Sequence, residues 1–216
     1  MKIQIRNGTA IIEGYVNAVE RFSKVLYDTR GKFIERIMPN VFKAALQKNK
    51  DILALLNHDY DRVIARTSDG TATLYEDNIG LHARIQATDQ ELIEKAKAGK
   101  LRGWSFGFRA NKEERSVNAD GLEERTIIDL ELIEVSVLDD KKSPAYIGTS
   151  IELRNDETFV IEYRTGFEEE TEVINEDKPP DSEERSELYK YVNRLNEIIL
   201  YLLKATANWR AVIFIY

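Results

Sequence analysis

The sequence predicts a mostly β protein with a few helices, an α+β fold, followed by a C-terminal helical extension. Short apolar segments that alternate with polar residues recur between residues 9 and 138, and turn-forming residues separate them, as is typical of strands. Two segments in this series have apolar residues at helical spacing instead. A strongly acidic run and a pair of prolines then precede one more segment with a helical stripe.

The predicted strands begin with residues 9–19, which alternate and carry a bulge predicted at Gly14. Further strands are predicted over residues 33–38, 52–56, 63–66, 71–75, 81–87, 103–110 and 126–138. The run 52–56 is continuously apolar, which indicates a buried strand. The three strands that follow it are short and separated by turn residues, so we expect them to form a meander.

Two helices are predicted within this series of strands. The first is short and begins after Pro39 and Asn40. The second covers residues 88–98, because Thr88 and Glu91 can form a capping box and Gly99 suits the position after the last turn.

Composition excludes several classes of function. Cysteine is absent and histidine occurs twice, so we expect no disulfide, no metal site and no other cofactor. No apolar stretch reaches the roughly 18 residues of a membrane helix, and Met1 is not followed by a signal-peptide core, so we expect neither secretion nor a membrane span. No basic stripe carries interleaved aromatic residues, so nucleic acid is not an expected ligand.

The net charge of −7 is unevenly distributed along the chain. Residues 1–154 carry 24 acidic and 24 basic side chains, whereas residues 155–181 carry ten acidic and two basic ones. A highly charged segment with few aromatic residues buries too little apolar surface to order itself. We therefore predict a domain over residues 1–154, an acidic linker over residues 155–181 and an amphipathic helical tail over residues 182–216.

Three polar residues stand in or beside the apolar segments, in the order His58, Ser105, Glu134. A serine hydroxyl is a poor nucleophile until a base takes its proton, and the base needs a third group to orient it. Histidine is the usual base at neutral pH. These residue types therefore predict a serine nucleophile system with Ser105 as nucleophile, His58 as base and Glu134 as acid.

The segment GWSFG at residues 103–107 also fits the Gly-x-Ser-x-Gly elbow of α/β-hydrolases. That elbow needs a helix after the serine and a histidine later in the chain. Here both histidines, His58 and His82, precede Ser105, and the residues after Ser105 alternate like a strand. The α/β-hydrolase interpretation is therefore rejected.

Four blocks in this order resemble the prohead proteases of tailed bacteriophages, which share the fold of the herpesvirus maturation proteases. The blocks are LLNHD at 55–59, Gly80-Leu81, GWSFGF at 103–108 and LIEVSV at 132–137, within a resemblance that runs from about residue 10 to about residue 150. The resemblance implies that the strands close into a small β-barrel with peripheral helices. Glu134 stands where the herpesvirus enzymes have a histidine. One departure is the charged stretch 138–145, where the family commonly has apolar residues.

The same resemblance implies a function and partners. It implies a serine endopeptidase that acts inside the assembling prohead, in the cytoplasm of the bacterial host. The implied substrates are the scaffold protein or a scaffold-like segment of the major capsid protein, and the protease itself. A homo-oligomer is also expected. Backbone N–H groups near Ser105 or in residues 140–143 are the expected oxyanion donors.

Other interpretations remain open at this point. His58 could cap a strand end, Ser105 could space two aromatic residues, and Glu134 could be a surface residue, with Asp129 or Glu131 as the acid. By strict alternation Glu134 shares a face with Leu132 and Leu130, and Glu131, Ile133 and Val135 share the other. His82 is expected to be a strand-surface residue.

The function and the tail also have rivals. The same domain could be a non-catalytic capsid-assembly module, or an esterase of an unrelated β fold. The apolar stripe of the tail fits packing on the domain or on a second copy, and equally a scaffold-like helix that carries the protein into the shell. The stripe consists of Leu188, Tyr191, Val192, Leu195, Ile198, Ile199 and Leu202.

Overall fold

The computed structural model describes residues 1–141, 149–154, 157–166, 170–177, 187 and 189–199. The chain divides into two units, Met1–Asp177 and Lys178–Tyr216. In the second unit residues 189–199 are helical, within the predicted tail helix. No helix in the described part of the chain is long and apolar enough to cross a membrane.

The described residues of the first unit form thirteen strands and two helices. In chain order these are β1 (Lys2–Arg6), β2 (Thr9–Ala18), β3 (Leu26–Asp28), β4 (Gly31–Ile37), α1 (Val41–Lys48), β5 (Leu53–Leu56), β6 (Asp59–Arg66), β7 (Ala72–Glu76), β8 (Gly80–Ala87), α2 (Gln90–Lys97), β9 (Leu101–Val117), β10 (Glu123–Asp139), β11 (Thr149–Arg154), β12 (Glu157–Thr165) and β13 (Glu172–Asn175). The prediction of a mostly β fold with a few helices is confirmed.

The strands form two sheets. The first has the order β13-β1-β2-β8-β7, and its neighbours are antiparallel except for the parallel pair β1 and β13. The second has the order β11-β12-β9-β10-β4-β3, with β5 and β6 attached beside β10. Neither ladder closes on itself within the described residues, so the closed barrel stays a prediction.

Strand β10 organises the second sheet because it is long enough to pair with three partners. It runs antiparallel to β9 along most of its length. On its other side it pairs in parallel with β4 in its first half and with β5 in its second half. The end of β5, where His58 follows, is thereby held against the end of β10.

One apolar core joins the two sheets. Strand β9 contributes Trp104, Phe106 and Phe108, and β2 and β8 contribute Ile12 and Ile85 from the other sheet. Each of these side chains is almost fully buried. Because Trp104, Phe106 and Phe108 point to the core, Ser105 and Gly107 between them lie on the opposite face of β9.

Two local predictions are wrong. Helix α2 is capped by Asp89, whose side chain accepts a hydrogen bond of 2.8 Å from the backbone N–H of Leu92, so Thr88 does not form the capping box. The bulge in β2 lies between Tyr15 and Asn17 instead of at Gly14. Gly14 leaves room for the indole of Trp104, whose Nε1 would lie 3.1 Å from a Cβ at that position.

The structure also places strands where the sequence predicted a linker. Strand β12 pairs with β9, and β13 pairs with β1. Asp177 then accepts hydrogen bonds from the backbone N–H groups of Asn7 and Gly8, at 2.7 and 3.2 Å. The first compact unit therefore extends beyond the predicted boundary at 154, to Asp177. The proline pair and predicted cap at 179–184, and the segment 200–216, lie outside the described residues.

Candidate active site

His58 lies in a two-residue turn between β5 and β6. Leu56 pairs with Asp59 across the turn, and Asn57 and His58 have φ values of 59° and 61°. Positive φ at both central residues is the requirement of a type I′ hairpin turn, which usually takes Asn followed by Gly. A histidine in the second position is strained, so contacts from outside the turn must hold it.

Those contacts come from the end of β10. The N–H of Asn57 donates to the carbonyl oxygen of Val137 at 3.0 Å, and Asn57 Oδ1 accepts from the N–H of Asp139 at 3.0 Å. The N–H of His58 donates to Ser136 Oγ at 3.1 Å. The strained turn is thus fixed to β10 at three points, Ser136, Val137 and Asp139.

Glu134 on β10 contacts the imidazole of His58. Its Oε1 lies 2.8 Å from His58 Nδ1, and the side chains are 0% and 13% exposed, respectively. A carboxylate can only accept, so in this pair Nδ1 carries the proton, and the neutral ring keeps its lone pair on Nε2. This tautomer can take a proton from a hydroxyl at Nε2.

A bulge in β10 brings Glu134 to this face. Leu132 pairs with Phe108 and Val135 pairs with Phe106, and the register shifts between Leu132 and Glu134. Both Leu132 and Val135 therefore point to the core, whereas Glu134 points away from it. The prediction that Glu134 shares a face with Leu132 is wrong, because strict alternation ignores the extra residue of a bulge.

Gly107 makes room for the carboxylate. It pairs with Glu134, and a Cβ at this position would lie 2.7 Å from Glu134 Oε1 and 3.0 Å from Tyr163 Cε1. Any side chain here would displace the carboxylate that contacts His58. The close approach of the carboxylate therefore explains why the second glycine of the GWSFGF block, Gly107, has no side chain.

Ser105 lies on the same face, opposite Ser136 in the register of β9 and β10. It is fully buried, and its hydroxyl donates to the carbonyl oxygen of Arg164 at 2.8 Å. Among the described residues no hydrogen bond joins Ser105 to His58. The structure thus brings His58 and Glu134 into contact and places Ser105 on the adjacent strand.

The end of β12 covers this face. Thr165 pairs with Ser105, and the N–H of Gly166 donates to the carbonyl oxygen of Trp104 at 2.7 Å. The ring of Tyr163 lies 4.4 Å from the ring of His58, centroid to centroid. One short segment therefore contacts both the serine and the histidine.

Buried charges anchor that segment. The guanidinium of Arg164 contacts Glu35 on β4 at 2.9 Å and Glu162 at 2.6 Å, and Arg125 on β10 contacts the same two carboxylates. Burial acts to raise the pKa of Glu162, but the hydrogen bonds and charges of Arg125 and Arg164 lower it overall. The network holds the end of β12 to β4 and β10.

Another buried ion pair supports the turn of His58. Lys95 on α2 contacts Asp139, whose N–H bonds to Asn57. Burial acts to raise the pKa of Asp139, but the hydrogen bonds from Lys95 and from the N–H of Lys141 hold it below the ordinary range. Sequence reasoning missed Lys95, Asp139 and Ser136, because no local pattern distinguishes them from surface residues.

The other polar candidates lie elsewhere. Asp129 contacts Lys48 at 2.7 Å and Glu131 pairs with Arg109, away from His58. His82 on β8 stacks on the ring of Tyr75 at 4.9 Å in the first sheet.

A metal site and the expected oxyanion loop are the two further kinds of site that the described residues could contain. Within them, no group of three or more acidic residues and histidines could hold a metal ion. Of the proposed oxyanion loop at 140–143, residues 142 and 143 lie outside the described part.

The comparison with protein families gives one result. A family model described as caudovirus prohead serine protease matches residues 1–161, which is more than half of the chain. No curated protein and no solved structure gives a significant match. The chain therefore belongs to the caudovirus prohead serine protease family.

Proposed function

We propose that this protein is a prohead maturation endopeptidase that works through Ser105, His58 and Glu134. The family supports a phage capsid maturation protease in general terms. The observation that carries the assignment of residues is the buried contact of 2.8 Å between His58 Nδ1 and Glu134 Oε1. A buried carboxylate that orients an imidazole is the arrangement that activates a serine.

The reaction follows from this tautomer. His58 Nε2 takes the proton of the Ser105 hydroxyl while Oγ attacks the carbonyl carbon of the scissile peptide bond. The imidazolium, stabilised by Glu134, then gives the proton to the departing amine and leaves an acyl-enzyme. Water, deprotonated by His58 in the same way, hydrolyses the ester and restores Ser105.

Ser105 has to change its hydrogen bond before this can happen. Its hydroxyl now donates to the carbonyl oxygen of Arg164, not to His58. Cross-strand neighbours lie about 4.5–5.5 Å apart, and Ser136, the neighbour of Ser105, already contacts the backbone of His58. Rotation of the Ser105 side chain and withdrawal of the end of β12 are therefore required steps.

The proposed substrates are the scaffold protein or a scaffold-like segment of the major capsid protein, and the protease itself, inside the assembling prohead. A homo-oligomer and the closed barrel belong to the same proposal. The single core shared by the two sheets supports the barrel, because its two faces already pack together.

A non-catalytic capsid-assembly module is the second candidate. The full burial of Ser105 and its bond to Arg164 favour this reading, because a substrate carbonyl has no access to the hydroxyl in this arrangement. The two candidates differ in whether the hydroxyl can ever be activated.

Labelling with a fluorophosphonate probe separates them. The full-length protein is treated alone and during co-expression with its capsid and scaffold proteins, and the modified residue is found by peptide mass mapping. Labelling at Ser105 that disappears in His58→Ala supports the protease, and Ser116→Ala on the same strand serves as the control. Absence of labelling under both conditions would support the non-catalytic module. Labelling at Ser136 would show that Ser136, and not Ser105, is the nucleophile.

A further inference from the structure

We infer that Ser136 is a positioning residue that holds the acid and the base of this site in their working arrangement. The inference rests on the proposed function. It concerns a residue outside the predicted Ser105, His58 and Glu134 set. Ser136 is fully buried on β10, so its hydroxyl must find partners within the protein.

The partners of Ser136 are the acid and the base of the site, Glu134 and His58. Its hydroxyl donates to Glu134 Oε2 at 2.5 Å, and its Oγ accepts from the backbone N–H of His58 at 3.1 Å. A hydroxyl has one proton and two lone pairs, so both bonds form at once. One oxygen atom therefore ties the carboxylate of Glu134 to the backbone of His58.

The carboxylate needs this second contact. The last torsion of a glutamate side chain is broad, so one hydrogen bond does not fix the plane of the carboxylate. Ser136 holds Oε2, and this leaves Oε1 directed at His58 Nδ1, 2.8 Å away. Without the hydroxyl, the carboxylate could rotate and the imidazole would lose its fixed orientation.

The backbone of His58 needs it too. The φ of His58 is 61°, in the left-handed region that a residue with a Cβ adopts at a cost. The bond from its N–H to Ser136 Oγ is one of the contacts that hold this conformation. The bulge before Glu134 turns this residue away from the core. Ser136 lies two residues later on the strand and therefore shares the face of Glu134.

The same geometry argues against Ser136 as the nucleophile. A serine is activated when its proton is directed to the imidazole. The proton of Ser136 is directed to Glu134 Oε2, and its oxygen is occupied by the N–H of His58. Ser136 therefore serves the acid–base pair and does not react.

The test measures how fast a fluorophosphonate labels Ser105 in full-length variants. The maximal labelling rate and the half-saturating probe concentration are determined separately for wild type, Ser136→Ala, Glu134→Gln and the double variant. Thr126→Val is the matched control, since it removes a hydroxyl of β10 that contacts Arg36 and not the site. Melting temperatures are recorded for all of them.

Ser136→Ala should lower the maximal rate by about 10- to 100-fold, because the carboxylate loses a buried hydrogen bond. The half-saturating concentration should change by less than about threefold, since the hydroxyl of Ser136 is engaged by Glu134 and His58 and is not free to bind the probe. In the Glu134→Gln background the same substitution should cost clearly less, because the part of its effect that acts through Glu134 is already lost and only the bond to the backbone of His58 remains to be broken. Thr126→Val should label at the wild-type rate.

A wild-type rate for folded Ser136→Ala, or an equal loss in both backgrounds, would overturn the inference. If Ser136→Ala does not fold, Ser136→Cys decides, because a thiol fills the space of the hydroxyl with a slightly larger atom and is only a weak donor. Its rate should fall by at least about fivefold, and no fall would contradict the inference. Failure of Ser105 to label in wild type, both alone and during co-expression with the capsid and scaffold proteins, would instead contradict the proposed function itself.

Discussion

At the residue scale, Glu134 differs from the neighbouring acids Asp129 and Glu131 by what it contacts. Only Glu134 among the three meets His58, whereas Asp129 and Glu131 pair with Lys48 and Arg109. Glu134→Gln should therefore reduce the rate of proteolysis, because the acid orients the base. The rate that remains should be roughly 10- to 100-fold higher than that of His58→Ala, because the acid does not itself react.

Asp129→Asn and Glu131→Gln are the controls for that variant and should cleave at nearly the wild-type rate. The measurement is initial rate on one unstructured peptide, with equal amounts of folded protein. A loss at Asp129 as large as the loss at His58 would show that the acid has been assigned to the wrong residue.

The strained turn gives a second prediction at this scale. His58→Gly and His58→Ala both remove the imidazole and leave Glu134 without its partner. Only alanine keeps a Cβ at the φ of 61°. The glycine variant should therefore be more stable than the alanine variant by about 1 kcal/mol.

Urea unfolding of the two variants measures this difference directly, and both should be inactive. Equal stabilities, or a more stable alanine variant, would mean that the turn relaxes out of the left-handed region once the imidazole is gone.

At the scale of elements, β12 and β13 determine where the folded unit ends. Both strands pair within the sheets, and the covering of Ser105 comes from β12. A chain that ends at Asp177 should therefore unfold cooperatively, near the temperature of the full-length protein. A chain that ends at Arg154 should lose that transition, because β9 and β1 lose a neighbour and the Arg164 network disappears.

Thermal unfolding followed by circular dichroism compares the two truncations with the full chain. A cooperative transition in the chain that ends at Arg154 would mean that β12 and β13 are additions to a domain that is complete without them.

The same elements show what the sequence could and could not predict. Alternation predicted β2, β4, β8 and the two long strands that carry Ser105 and Glu134. It also marks Lys2–Arg6, where Ile3 and Ile5 are buried, so β1 was predictable but missed. The acidic charge of residues 155–181 predicts a linker and masks a β-prone stretch at residues 157–165.

The residues of the candidate site could be proposed from the sequence, but the contacts that hold them could not. His58, Ser105 and Glu134 stand out because polar residues interrupt apolar strands. The contacts of Ser136, Gly107 and Asp139 depend on strand register and on a bulge, which no local pattern specifies. The burial of Ser105 under β12 depends on a pairing between residues far apart in the chain.

At the scale of the whole molecule, buried ion pairs make stability depend on pH. The pKa of Asp139 is lowered in the folded state from an ordinary value of 3.8, so the ion pair with Lys95 stabilises the protein fully above that pH. As the pH falls below 3.8 through the folded value, this contribution is lost. Lys95→Met should therefore lower the free energy of unfolding at pH 7 by about 3 kcal/mol.

The difference from wild type should shrink below pH 3.8, as Asp139 is protonated in both proteins. Urea unfolding at pH 7, 5 and 3 measures it. Lys97→Met is the control, because Lys97 pairs with the exposed Glu94 and should change stability by less than about 1 kcal/mol. A gap that stays constant with pH would show that the pair of Lys95 with Asp139 does not contribute.

The C-terminal unit gives the other prediction at this scale. The helix at 189–199 exposes Tyr191, Leu195 and Ile198, and an apolar stripe of this kind needs a partner. A chain that ends at Asp177 should therefore keep peptidase activity on an unstructured peptide but fail to enter assembling capsids. Recovery in purified proheads is the measurement, and normal recovery would place the delivery signal within Met1–Asp177.

Co-expression with the cognate capsid and scaffold proteins tests most directly whether Ser105 and His58 act as one catalytic unit of a maturation protease. Fragment masses are compared for wild type, Ser105→Ala, His58→Ala and the double variant. Wild type should produce defined fragments, and each single variant should lose about 10⁴-fold or more, with the double variant little worse than either. Continued cleavage by Ser105→Ala would show that Ser105 is not the nucleophile, and losses that multiply in the double variant would show that Ser105 and His58 are not one catalytic unit.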